Sequence, residues 1–216
     1  MENLLTDEIK KQLSEIFEQM KGNVTLAIFT KDEPCPTCAE TIAFIKELSS
    51  TSKKIKYKLY NIKLDEKKAK EYDVTRTPTI VVLDNDEAYR GVKFVGIPAG
   101  YEINSLISAL IQVSGNLIEL PEEFVERIKK IDKPTNIKVF ITLGCPHCPG
   151  AVETGHRLAL ENPNIVAEMI EAQTFGELSA KFNVSSVPKV VINDKVEFLG
   201  SQPLEVFLDN IEKAHL

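Results

Sequence analysis

The run Val24-Thr25-Leu26-Ala27-Ile28-Phe29-Thr30, followed at once by Lys31-Asp32-Glu33-Pro34-Cys35-Pro36-Thr37-Cys38, decides how this chain is read. A short β-branched, apolar run bounded by polar residues predicts a buried strand. Downstream, Ile42, Ile45 and Leu48 recur at helical spacing and predict a helix over residues 37–49. A Cys-X-X-Cys pair is thus set where a buried strand gives way to a helix.

The same arrangement recurs 110 residues later, where Val139-Phe140-Ile141-Thr142 leads into Cys145-Pro146-His147-Cys148. The stretch Tyr72 to Val82 aligns with Phe182 to Ile192 at the same offset, so each half places a proline, Pro78 or Pro188, 43 residues after its first cysteine. Val92-Lys93-Phe94-Val95-Gly96 is matched by Val196-Glu197-Phe198-Leu199-Gly200 after a shorter loop. A repeat of this length is a duplicated domain, not a solenoid unit. The expected division is residues 1–117 and 118–216, with a short boundary near Ser114 to Leu120 that argues for packed rather than loosely tethered halves.

Periodicity in the first half predicts helices at 6–20, 37–49, 65–72 and 102–113, with strands at 24–30, 55–62, 79–83 and 88–95. The second half predicts helices at 121–131, from the second cysteine pair to about Leu160, and at 174–182 and 204–213. Its strands are expected at 137–142, 164–170, 189–193 and 196–199. Crossover units ending in a hairpin imply an α/β fold of two tandem domains, each a mixed sheet of about four strands flanked by helices.

The cysteines carry the chemistry. At a helix start, the first cysteine of each pair lies near unpaired amide N–H groups and the positive end of the dipole, which favours thiolate. The second cysteine is one turn away and can resolve a mixed disulfide formed by the first. Cys35 and Cys145 are therefore expected as nucleophiles, Cys38 and Cys148 as resolving thiols, with Pro36 and Pro146 in the first helical turn. His147 can add positive charge beside Cys145, which Thr37 cannot do for Cys35. Pro78 and Pro188 could be plain strand-start prolines. Their identical spacing from the cysteines favours cis prolines, with Thr77 and Val187 offering backbone hydrogen bonds to an extended substrate. His156 and His215 read as surface positions, and Lys67-Lys68-Ala69-Lys70 as a solvated helix face.

The other bulk features mostly exclude. Hydrophobic residues make up 43% of 216, acidic and basic residues are interspersed, and the net charge is −6. No basic stripe suggests nucleic acid, and no apolar run is long enough to span a bilayer. Met1 to Met20 lacks the pattern of a signal peptide, so the expected compartment is the cytoplasm. A single four-cysteine metal or iron–sulfur site would have to join pairs separated by 106 residues, far more than a zinc ribbon uses. No metal and no cofactor is expected.

On these residues the chain resembles the thioredoxin superfamily. Cys35-Pro36-Thr37-Cys38 is similar to the glutaredoxin pair. Cys145-Pro146-His147-Cys148 and Val187-Pro188 are similar to those of the periplasmic disulfide oxidants. Phe94-Val95-Gly96-Ile97-Pro98-Ala99-Gly100 and Phe140-Ile141-Thr142 followed by Cys145-Pro146-His147-Cys148-Pro149 resemble signatures of the glutaredoxin-like protein disulfide oxidoreductases of hyperthermophiles, tandem thioredoxin folds of similar length. That resemblance implies reduction, oxidation and isomerisation of protein disulfides. It also implies a thioredoxin-reductase-like flavoprotein as electron source; a peroxiredoxin is a further candidate partner. Two departures stand out. The strand before each cysteine pair lacks the buried aspartate of thioredoxins, and neither Gly96-Ile97-Pro98 nor Gly200-Ser201-Gln202 reproduces the glutathione motif of glutaredoxins. The alternative function is a redox adaptor passing electrons from a flavoprotein reductase to a peroxidase.

Overall fold

The computed structural model describes residues 5–32 and 34–216. The first four residues of the expected first domain, and Glu33 in the loop before Cys35, lie outside the described residues. The first half runs α1 (Asp7–Phe17), β1 (Val24–Thr30), α2 (Cys38–Ser49), β2 (Ile55–Asn61), α3 (Glu66–Glu71), β3 (Thr79–Leu83), β4 (Tyr89–Val95) and α4 (Ile103–Val113), with a short 3-10 turn at Gly100–Glu102 before α4. The second half repeats it as α5 (Glu122–Lys129), β5 (Thr135–Ile141), α6 (Cys148–Glu161), β6 (Ile165–Glu171), α7 (Gly176–Lys181), β7 (Lys189–Ile192), β8 (Val196–Leu199) and α8 (Leu204–His215).

Local chemistry explains most boundaries. The Thr6 side chain accepts from the Ile9 amide and caps α1, with Asp7 and Glu8 in its first turn. The β3–β4 hairpin closes on Asp84, whose Oδ1 accepts from the amides of Asp86 and Ala88. The β7–β8 hairpin turns through Asn193 and Asp194, both at positive φ, and the Lys195 amide donates to the Ile192 carbonyl to close it. α1 stops at Phe17, three residues short of the expected end.

The two four-stranded sheets are one. The strand order is β2-β1-β3-β4-β6-β5-β7-β8, and each half uses the same order. β4 pairs in parallel with β6, from Val92 opposite Ala167 to Val95 opposite Ile170. The short boundary at Ser114 to Leu120 predicts packed domains; the structure goes further and shares the sheet. One continuous core spans both halves, drawing on α1, α2, α4, α5, α6 and α8. The opposite face carries α3 and α7 over two smaller clusters, around Phe29 and Tyr72 and around Phe140 and Phe182.

A buried ion pair sits in the joint. Lys93 of β4, with no solvent exposure, lies 3.0 Å from Glu168 of β6. Its ammonium also donates to the carbonyls of Tyr72 and Asp73 at the end of α3. His156 approaches the Lys93 carbonyl through Nε2 at 3.1 Å and is buried, which corrects its reading as a surface residue. The correction has a physical cause: α6 is covered by β4 and α4 of the other half, so a helix face that would be solvated in one domain is interior in two. Burial pulls the His156 pKa down to about 4, so the ring is neutral.

Candidate active sites

Both dithiols open at the same end of the sheet. β1 and β5 point that way with their C-termini, as do β4 and β6, which are parallel to each other. Cys35 and Cys38 form one disulfide, Cys145 and Cys148 the other, each with Cα atoms 5.5 Å apart. Each nucleophile candidate is almost covered, and Cys148 is completely so. The helices begin at the second cysteine, with Thr37 and His147 as their N-caps. Pro36 and Pro146 therefore lie in the turn before the helix, not in its first turn; in α6 that position goes to Pro149. The reason is the turn itself, which closes by a bond from the Cys38 amide to the Cys35 carbonyl and from the Cys148 amide to the Cys145 carbonyl.

The proline loops come up to the cysteines. Thr77–Pro78 and Val187–Pro188 are both cis. Thr77 Oγ1 is 3.9 Å from Cys35 Sγ, while at the second site it is the Val187 carbonyl that lies 3.9 Å from Cys145 Sγ. A hydroxyl can donate to a thiolate and a carbonyl cannot. His147 is exposed and its ring makes no hydrogen bond among the described residues.

Each half also supplies a wall to the other's site. Gly100, at φ 60, lies so close to the Leu143 carbonyl that any side chain would collide with it, and the Tyr101 amide donates to that same carbonyl at 3.1 Å. This sets the next residue, Glu102, against α6 beside the loop that enters the second dithiol. Glu102 is fully buried; Ser105 Oγ donates to its Oε2, and Oε1 has no partner. Burial, opposed by the Ser105 bond and reinforced by nearby Glu153, pushes its pKa up to about 7. Sequence reasoning missed Glu102, because what buries it is a contact between halves. The other buried carboxylates among the described residues, Glu168 and Glu171, are held by Lys93 and by the amides of Gln173 and Thr174. Reciprocally, Gly96 at φ 107 admits the second half's loop 171–175: a side chain there would meet Glu171 at 2.7 Å and Phe175 at 3.5 Å. The Gly96 amide donates to the Pro78 carbonyl, so this loop stands beside the first site.

Among the described residues no cluster of three or more His, Cys, Asp or Glu is placed to hold a metal, and no helix is long and apolar enough to cross a membrane.

The thioredoxin-domain family model matches residues 24–108 and 135–213, one segment around each dithiol. The chain belongs to the thioredoxin-domain family. Two such domains in tandem, each with an intact Cys-X-X-Cys pair, make it a thiol oxidoreductase. A protein disulfide oxidoreductase from Aeropyrum pernix superposes with a TM-score of 0.89 at 30% identity, over 97% of this chain and 93% of that one. The NTD_N/C domain of alkylhydroperoxide reductase AhpF from Enterococcus faecalis gives a TM-score of 0.90 at 30% identity, over 96% and 99%. The F component of alkyl hydroperoxide reductase from Staphylococcus aureus is 33% identical over 209 residues, which is 96% of this thioredoxin-domain chain but 38% of that protein.

Proposed function

We propose that this chain exchanges disulfides with proteins at two sites, in the domains expected at residues 1–117 and 118–216. The observation that carries this is the pairing, in each half, of a nearly covered Cys-X-X-Cys with a cis-proline loop whose preceding residue faces the first sulfur. In the reductive direction the Cys35 or Cys145 thiolate attacks a client disulfide. One sulfur–sulfur bond breaks, a mixed disulfide forms, and the first client thiolate leaves. Cys38 or Cys148, deprotonated, then attacks the mixed disulfide. The second client thiolate leaves and the protein holds the disulfide, so two electrons have moved to the client. In this reading Thr77 and Val187 hydrogen-bond an extended client chain, and His147 favours the Cys145 thiolate. Glu102, buried with one unpartnered oxygen in the turn that bonds the Leu143 carbonyl, is the candidate proton acceptor on the second half's side of the molecule.

The electron source in this reading is a thioredoxin-reductase-like flavoprotein. A second reading, an adaptor that hands electrons on to a peroxidase such as a peroxiredoxin, is favoured by the end-to-end match to the AhpF domain. The test compares the chain with Cys35→Ser/Cys38→Ser and Cys145→Ser/Cys148→Ser variants in reducing a disulfide-bonded protein with dithiothreitol. Catalysis by each single-site variant supports exchange at both sites. If neither variant exceeds the uncatalysed rate, the reading is overturned; if only a reductase–peroxidase couple is accelerated, the adaptor reading replaces it.

A further inference from the structure

A cleft lies beside the proline loop of the first site. It has a volume of about 570 Å3 and is bounded on one side by Arg76 and on the other by Phe175, Gly176, Glu177, Leu178 and Lys181 in and before α7. Arg76 adjoins Thr77, whose hydroxyl lies 3.9 Å from Cys35 Sγ, so the Arg76 wall of the cleft is one residue from a neighbour of the first dithiol. It exists because Gly96 lets the second half's loop reach the proline loop of the first.

Arg76 is half-buried, and among the described residues its guanidinium makes no ion pair; it donates only to the neighbouring Thr75 hydroxyl. Of the other charges on the cleft, Lys181 lies 3.7 Å from Asp194 and Glu177 is exposed. Phe175 and Leu178 supply apolar surface between them. An arginine fork with unused donors beside a nucleophile is suited to a carboxylate. At the second site the position of Arg76 is taken by Ser186, which has no charge.

Taking the exchange reading as given, we propose that this cleft seats the client of the first site, and that Arg76 selects clients carrying an aspartate or glutamate beside the reacting cysteine. The two sites then differ in clientele: the first prefers acidic flanks, the second is indifferent to them.

Single-turnover kinetics tests this. The Cys145→Ser/Cys148→Ser protein, reduced beforehand, is mixed with disulfide-linked peptide pairs that differ only in Asp or Asn next to the cysteine. Each turnover converts one peptide disulfide to two thiols and Cys35/Cys38 to their disulfide. The second-order rate for the Asp peptide is expected to exceed that for the Asn peptide about fivefold at low salt, the size of one partly exposed charge pair, and to converge with it at 1 M salt. Arg76→Gln should bring the ratio near one, Arg76→Glu should invert it, and Arg76→Lys should restore part of it. The Cys35→Ser/Cys38→Ser protein, reading the second site alone, should show no preference. Equal rates for the two peptides at the first site, or a preference that survives Arg76→Gln, would overturn the selection while leaving exchange intact. Failure of the first site to react with either peptide would overturn both.

Discussion

The two dithiols share a backbone and differ in their neighbours. Each has a strand end, a turn closed on its first cysteine, a helix starting at its second, and a cis proline opposite. Around the first stand the Thr77 hydroxyl, Arg76 and a loop from the second half. Around the second stand His147, the Val187 carbonyl and, from the first half, the buried Glu102. Duplication preserved the geometry that makes exchange possible. The residues proposed to set rate, poise and client come from one-residue differences in the loops and from what the opposite half brings up.

The sharpest way to break this comparison is to remove one thiol at a time. Cys148→Ser is expected to accumulate mixed disulfides through Cys145, and Cys38→Ser through Cys35, whereas Cys145→Ser and Cys35→Ser should trap nothing and lose exchange at their own site by three orders of magnitude or more, on the order of a missing nucleophile. Non-reducing gels with mass mapping of the adducts check this; trapping through Cys148 or Cys38 would reverse the assignment.

Next in size is the contrast between two lysines that end the same way. Lys93 and Lys189 both donate to the carbonyls closing a short helix, of Tyr72 and Asp73 and of Phe182 and Asn183. Lys93 faces buried Glu168 in the joint, while Lys189 faces exposed Glu197. Removing one partner of a buried pair strands a charge, so Glu168→Ala should destabilise by about 3–5 kcal/mol. Glu197→Ala should cost no more than about 1 kcal/mol. Denaturant titration of both variants reads the difference.

Two buried titratable groups then pull stability in opposite directions. Glu102 is protonated in the fold up to about pH 7 but ionises from its ordinary 4.5 when unfolded, so its contribution is present below 4.5 and lost as pH rises to about 7. His156 is neutral in the fold down to about pH 4 but takes a proton below 6.5 when unfolded, so its contribution is present above 6.5 and lost as pH falls to about 4. Between pH 4.5 and 6.5 the two slopes oppose. Glu102→Gln should stabilise the chain at pH 8 by up to about 3 kcal/mol, since each tenfold change in proton affinity is worth about 1.36 kcal/mol. It should also unmask a rise in stability from pH 4 to 6.5. Thermal unfolding across pH 4–8 checks both, and a flat profile in the variant would remove His156 from the account.

The smallest expected effect is the one between the sites themselves. His147 beside Cys145 should make the second dithiol the more oxidising, by about 30 mV for a tenfold shift in exchange. The Thr77 hydroxyl works against this gap by favouring the Cys35 thiolate, so His147→Thr should narrow the difference and Thr77→Val widen it. Redox titration of each single-site variant measures both; a gap that ignores His147→Thr would assign the poise elsewhere.

Much of this was legible because it is local. Strand, cysteine pair and helix are adjacent in sequence, and the cis prolines stand out by repeating at one spacing. What was hidden depends on contacts between halves. Nothing in Val92 to Val95 says that this strand pairs with Ala167 to Ile170, and from that joint follow the burial of His156, the raised pKa of Glu102 and the cleft at Arg76. Periodicity reports which face of an element is buried, not which distant element buries it.

Because both dithiols sit at one end of one sheet, their separation is set by strand spacing. β1 and β5 are four steps apart, on the order of 20 Å at about 4.8 Å per step. A client tethered through one of its cysteines at Cys35 can present its next cysteine to Cys145 without release only if the connecting chain spans that gap. An extended chain covers about 3.3–3.6 Å per residue, so roughly six residues is the minimum tether. Closely spaced cysteines must dissociate and rebind, whereas longer spacers keep the second thiol at high effective concentration near the other site. On the proposed exchange reading, the sheet would act as a ruler for cysteine spacing in its clients.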